Sequence, residues 1–204
     1  MGAMTSPLGR RASLVATTVL LTSPLLAACG GSSGAVQTWA GTYCGSASSV
    51  RQILSAGNDA LRGQLEIPDN PPGNVRSSLS GTAGNAATSA RSAVQRVTDA
   101  GEPEVAEGEQ IQEAAVGTME QLVEDMTALE ARARAIPLDD PDAFTAEVKA
   151  VSEAFAAQSR DLAGSLKALD EFEGYDEVRE AIGSGDDVTD VQGTCERLET
   201  VRSS

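Results

Sequence analysis

The sequence predicts an all-α fold: a four-helix antiparallel bundle with short C-terminal helices and one disulfide. Three observations predict it. From Val36 to Leu169 the apolar residues recur at steps of three and four, the spacing that keeps one helix face buried. Clusters of Pro and Gly at 66–73, 101–103 and 137–141 interrupt that spacing, because proline removes an N–H donor and fixes φ. Cys44 and Cys195 stand near the two ends of the patterned region, where a bundle of antiparallel helices brings its first and last elements together.

The first helix is expected over Val36 to Leu65, with Val36, Ala40, Tyr43, Ala47, Val50, Leu54, Gly57 and Leu61 on one stripe. Asn74 is a candidate N-cap for a second helix reaching Ala100, with Val75, Leu79, Thr82, Ala86, Ala93 and Val97 inward. Its middle holds Ala, Ser, Gly and Thr. Such residues allow close helix approach but bury little apolar area, at about 25 cal/mol per Å². A third helix is predicted over Ala106 to Ala135, carrying Ile111, Ala115, Leu122, Met126, Leu129 and Ala133. Its early acids, Glu104, Glu107 and Glu109, and its late bases, Arg132 and Arg134, suit the helix dipole. Asp140 as N-cap and Pro141 at the first helical position open the fourth. It is expected to bury Phe144, Val148, Val151, Phe155, Leu162, Leu166 and Leu169, and to end at Gly174. Two short helices, near Asp176–Ile182 and Val188–Val201, should complete the chain. Each long helix is roughly 28 residues, or roughly 40 Å at 1.5 Å per residue. Trp39, Tyr43, Phe172 and Tyr175 are expected to gather at the end where Cys44 and Cys195 meet.

The first 28 residues read as a removable export signal. Arg10 and Arg11 precede an uncharged stretch, Ala12 to Ala28, whose middle is apolar. That stretch is too short and too broken by Thr, Ser and Pro to span a membrane, which takes about 20 mainly apolar residues. It ends in Leu26-Ala27-Ala28-Cys29, which resembles the lipobox of bacterial lipoproteins. The resemblance covers residues 10 to 34 and implies cleavage before Cys29, with a diacylglyceryl group on its thiol. The chain then divides into a signal (1–28), a lipidated Cys29 with a Gly/Ser tether (29–34) and a helical domain (35–204). Met1-Gly2-Ala3-Met4-Thr5-Ser6 also fits an N-myristoylation pattern, which conflicts with the lipobox behind it. Arg10-Arg11 is compatible with either Sec or twin-arginine export.

In an exported chain the isolated pair Cys44 and Cys195 reads as a disulfide; two unpaired buried thiols are the alternative. All 30 acidic residues but only 13 of the 15 basic ones follow Cys29, so acids outnumber bases there by 17. That charge opposes nucleic-acid binding, whose phosphates need Lys and Arg, and adsorption to anionic lipid. The membrane is reached through Cys29 alone. Ala, Gly and Arg abundance with Lys149 and Lys167 as the lysines makes the mature part similar in composition to small helical envelope lipoproteins of GC-rich bacteria.

The chain has no histidine, which removes Ser-His-Asp catalysis and every His metal site. Its dense carboxylates are Asp139-Asp140-Pro141-Asp142 and Asp186-Asp187 with Asp190. Calcium takes several such oxygens, but neither group has EF-hand spacing and both stand where turns and caps favour Asp. No metal or cofactor is therefore expected. Glu120, Glu124, Asp125 and Glu130 read as a solvated helix face. The expected function is a non-catalytic, membrane-tethered envelope lipoprotein that binds or scaffolds a protein partner on the extracytoplasmic side. The alternative is a carrier of a small apolar ligand or lipid, in an interhelical pocket lined by Leu79, Val94, Phe155 and Leu162. A carboxylate hydrolase would require two acids converging in a cleft.

Overall fold

The computed structural model describes residues 31–183 together with Gly193, Cys195 and Glu196. Among them there is no strand. Helix α1 covers Gly31–Leu65, α2 Pro72–Ala100, α3 Gly108–Arg134 and α4 Pro141–Gly164; a 3-10 turn at Lys167–Leu169 leads to α5, Tyr175–Gly183. The all-α class is as the periodicity predicts. Signal residues 1–28, Cys29, Asp186, Asp187, Asp190 and most of the Val188–Val201 helix lie outside the described residues.

Four boundaries differ from expectation, each for a local reason. α1 begins at Gly31, inside the segment expected to be a flexible tether. Val36, Trp39 and Ala40 are buried, and extending an anchored helix backwards costs far less than starting one. α2 begins at Pro72 rather than behind Asn74, with Pro71 in the cap position and no side-chain cap bond. Proline at the first helical position loses nothing there, because its N–H would be unpaired anyway. The Asn74 side chain instead donates to Asn70 Oδ1 at 2.9 Å. α3 starts at Gly108, behind Glu107 in the left-handed region at φ 53°. α4 ends ten residues before the expected Gly174. Ser165 Oγ and N–H both donate to Leu162 O, at 2.7 and 3.2 Å. Successive three-residue bonds then follow at Leu169, Asp170, Phe172 and Tyr175, tightening the chain out of α geometry.

Most residues of the expected stripes are buried, while Gly57, Thr82, Leu129 and Phe144 are half-buried and Met119 joins the α3 stripe. Tyr43, Ala47, Val50 and Leu54 of α1, Ile111, Ala115, Met119 and Met126 of α3, and Val151 and Phe155 of α4 are all wholly enclosed. α2 lies between α1 and α3 and makes the most extensive contacts with both. It does so through Ala83, Ala86, Ala87, Ala90 and Ala93, all fully buried. Small side chains let the neighbouring backbones approach, as at Gly57, where an added Cβ would stand 2.2 Å from Thr82 Cγ2.

Polar cross-links fix which helix parts meet. Arg96 Nε of α2 donates to Ser46 Oγ of α1 at 3.1 Å. Arg76 of α2 donates to Ile136 O just beyond α3 at 3.5 Å, while Gln112 near the start of α3 donates to Val97 O at 2.6 Å. Arg132 of α3 pairs with Glu147 of α4 at 2.9 Å. Ser152 of α4 donates to Asn58 of α1 at 3.4 Å.

Candidate functional site

Two ends of the helical assembly hold the features that bear on function. The first surrounds the disulfide. Cys44 in α1 and Cys195 are bonded, with Cα atoms 5.0 Å apart, inside the usual disulfide range. Both residues are buried. The expected pairing is therefore present, and the oxidised sulfurs are neither nucleophiles nor ligands.

Two aromatic side chains precede Cys44 on the same helix. Trp39 and Tyr43, one helical turn apart, stack with ring centroids 5.7 Å apart and planes 8° from parallel. Trp39 Nε1 donates to Gln112 Oε1 at 2.6 Å, and Gln112 passes a second bond to Val97 O. One glutamine thus joins α1, α2 and α3. The Tyr43 hydroxyl is buried and makes no hydrogen bond of normal geometry. Burial pushes its pKa up, only partly offset by the nearby hydroxyls of Ser165 and Thr118. Those hydroxyls donate to Leu162 O and Ala114 O. Tyr175 is buried and lies under the Arg179 guanidinium, 5.3 Å from the ring centroid. The Asp170 carboxylate beside Arg179 raises that guanidinium's pKa further. Gln37 ties α1 to α5 through Ala181 O at 3.1 Å.

A clasp closes the turn before α5. Glu107 does not cap its own helix; its Oε2 accepts the Glu173 N–H at 2.8 Å. Gly174 follows against the backbone of Ala106, so close that a Cβ would stand 2.1 Å from Ala106 O. Glycine is required there for space. Gly108 is equally confined by Pro103 O, 2.1 Å from the place of a Cβ.

The carboxylates take structural roles. Asp140 Oδ1 accepts the N–H groups of Asp142 and Ala143 at 3.1 and 3.0 Å, so it caps α4 as the sequence predicts. Among the described residues no group of acids or cysteines is arranged to hold a metal ion. Asp125 departs from the solvated-face expectation. It is half-buried and accepts from Gln158 of α4 at 3.0 Å and from Gln121 at 3.1 Å. Glu130 pairs with Arg134. Leu79, Phe155 and Leu162, expected to line an interhelical pocket, are instead buried in one core, with Val94 packed against it.

The second end lies where α1 finishes and α4 begins. A groove of about 310 Å³ opens there, floored by Leu61, Leu65, Phe144 and Val148 and edged by Lys149 and Glu153. Among the described residues the exposed large apolar side chains are Leu65, Ile67 and Leu138, at 57, 56 and 41% exposure. All three belong to this end. Sequence reasoning passed over this surface. Its signal was available: Ile67 and Leu138 are apolar residues inside proline-rich breaks, and Leu65 follows the last stripe residue of α1.

No family model, curated protein or solved structure matches this chain.

Proposed function

We propose that this protein is an exported lipoprotein, cleaved before Cys29 and held to a membrane by the lipid on that residue, whose helical part binds or scaffolds an envelope protein without catalysing a reaction. The observation that carries the reading is the Cys44–Cys195 disulfide. A single buried disulfide closing most of a chain belongs to an oxidising compartment. It accords with the lipobox-like Leu26-Ala27-Ala28-Cys29 and the charged-then-apolar segment before it.

In this reading α1 to α4 form an antiparallel bundle. The cross-links support it, because each joins one end of a helix to the opposite end of the next: early α2 with late α3 (Arg76 with Ile136), late α2 with early α3 (Val97 with Gln112) and late α3 with early α4 (Arg132 with Glu147). Between α1 and α2 the order is opposed as well: Ser46 meets Arg96, and the later Gly57 meets the earlier Thr82. α1 starts two residues after Cys29 in sequence, so the lipid would hold a helix rather than a loose tether. The lack of histidine supports a non-catalytic role, and the enclosed core gives the carrier reading no support.

Mass spectrometry of the mature N-terminus, with fractionation of cells expressing the wild type or Cys29→Ala, tests the anchoring. A chain beginning at a diacylglyceryl-bearing Cys29, and release of the variant from membranes, is expected. An unmodified N-terminus at another residue would sink the lipoprotein reading.

A further inference from the structure

We propose that the apolar groove between the end of α1 and the start of α4 docks a basic, amphipathic helical segment of a partner protein. The inference rests on the protein-binding reading above and names its surface and its partner's chemistry. The groove offers Leu61, Leu65, Phe144 and Val148 as a floor. Ile67, in the loop after α1, and Leu138, in the loop before α4, add exposed apolar surface next to these two helix ends. The first turns of α2, just after the 66–71 loop, reach the start of the second loop, since Arg76 donates to Ile136 O. Row-wise apolar anchors on a partner helix fit such a trough.

The surrounding charge selects the partner. Segments 66–71 and 136–142 carry Glu66, Asp69, Asp139, Asp140 and Asp142, all exposed, and no base. Of the bases at this end, Arg132 and Arg134 pair with Glu147 and Glu130, Arg76 donates to Ile136 O, and the two nearest the groove also lie beside acids. Arg62 lies 3.8 Å from Asp59, and Lys149 lies 3.8 Å from Glu153. An apolar trough in a negative rim attracts Lys and Arg flanking apolar anchors, and complementary charge of this kind governs encounter and register. A second copy would set the same acids against themselves, and anionic lipid would be repelled in the same way. Position agrees: the groove is at the far end of a 35-residue helix from Gly31, roughly 50 Å away at 1.5 Å per residue. A chain anchored at Cys29 would hold this face away from its membrane.

The test places a photo-cross-linking residue at position 67, or at position 113 near the disulfide end, in the full-length chain within its native cells. The cross-linked peptide is then identified by mass spectrometry. Position 67 should capture a segment with apolar residues at helical spacing flanked by Lys and Arg. Combining Glu66→Lys with Asp139→Lys should lower the yield about tenfold, while Glu120→Lys with Glu124→Lys leaves it unchanged. Both pairs are exposed, and far-UV circular dichroism checks that the variants fold. Capture of a second copy, of lipid alone or of an acidic segment overturns the proposal, as does a yield indifferent to charge reversal. A protein captured from position 113 but not from 67 overturns the groove and leaves the protein-binding reading standing. No protein from either position removes both.

Discussion

Replacing Gly57 by alanine should destabilise this protein, against the usual direction for a glycine inside a helix. At an unobstructed helical position, alanine is favoured over glycine by about 1 kcal/mol. Gly117 of α3 is such a position: it is exposed, and a Cβ there meets nothing within 4 Å. At Gly57 the added Cβ would lie 2.2 Å from Thr82 Cγ2, 2.6 Å from Oγ1 and 2.9 Å from Cβ. Rotating Thr82 about χ1 moves the first two atoms away but leaves its Cβ in place. α1 and α2 must then separate by tenths of an ångström along a seam of fully buried alanines, where packing has no slack. Overpacking of this kind costs about 1–3 kcal/mol. After the propensity gain, Gly57→Ala should lose up to about 2 kcal/mol, while Gly117→Ala gains about 1 kcal/mol. The difference in Tm is roughly 2–4 °C per kcal/mol for a chain of this size. Circular dichroism at 222 nm, with thermal and urea melts of both variants, measures it. Adding Thr82→Ala to Gly57→Ala removes two of the three clashing atoms and should recover part of the loss, a coupling of about 1 kcal/mol. If Gly57→Ala proved as stabilising as Gly117→Ala, the close α1–α2 approach described above would be wrong.

Further outcomes follow from other sites. The disulfide spans a sequence separation of 151, for which the chain-entropy relation gives about 5 kcal/mol; a Cys44→Ala/Cys195→Ala variant should lose stability on that scale in urea, and a loss under about 1 kcal/mol would show that the bond closes no loop of consequence. Tyr43 has a folded pKa above its unfolded one of 10.0. Its contribution is thus complete below that pH and is lost as pH rises through the folded value, because the unfolded chain releases its proton first. With Tyr175→Phe leaving Tyr43 as the one tyrosine, phenolate absorbance should lag behind a free phenol and appear together with loss of helicity; simple titration near pH 10 would contradict the burial. Asp140→Ala removes both cap bonds of α4 and should cost about 1 kcal/mol in the same melts, with no change expected for Asp139→Ala. Gly174→Ala drives a methyl against Ala106 O, and the N–H of Glu173, now held by Glu107, should gain hydrogen exchange; unchanged protection there would refute the clasp.

What could be read in advance was the repeating part of the fold. The α1 stripe from Val36 to Leu61 and the Asp140-Pro141 start of α4 each rest on short-range rules, and both are realised. The disulfide was legible because only two cysteines remained in the patterned region. The end of α4 was not legible, since Leu166 and Leu169 keep their burial through a 3-10 turn; apolar spacing does not distinguish the two helix types over one turn. The start of α1 was missed because Gly31, Ser32, Ser33 and Gly34 favour disorder locally, while their helix is carried by the residues that follow. Gln112 and Glu107 look like surface residues on a helical wheel. Their roles as a three-helix tie and a clasp come from where α1 and the 3-10 turn lie in space, which no pattern within α3 encodes. The open groove was missed because an unsatisfied apolar face differs from a satisfied one only by what packs on it.

The bond between Cys44 and Cys195 also sets an order of events during biosynthesis. Cys195 stands 151 positions after Cys44, so the ribosome adds it about 8–30 s later at ordinary elongation rates. For that whole interval the Cys44 thiol has no proper mate. The bond can close only when the segment carrying Cys195 has come back to α1, so packing that brings the two ends together favours the correct sulfur link.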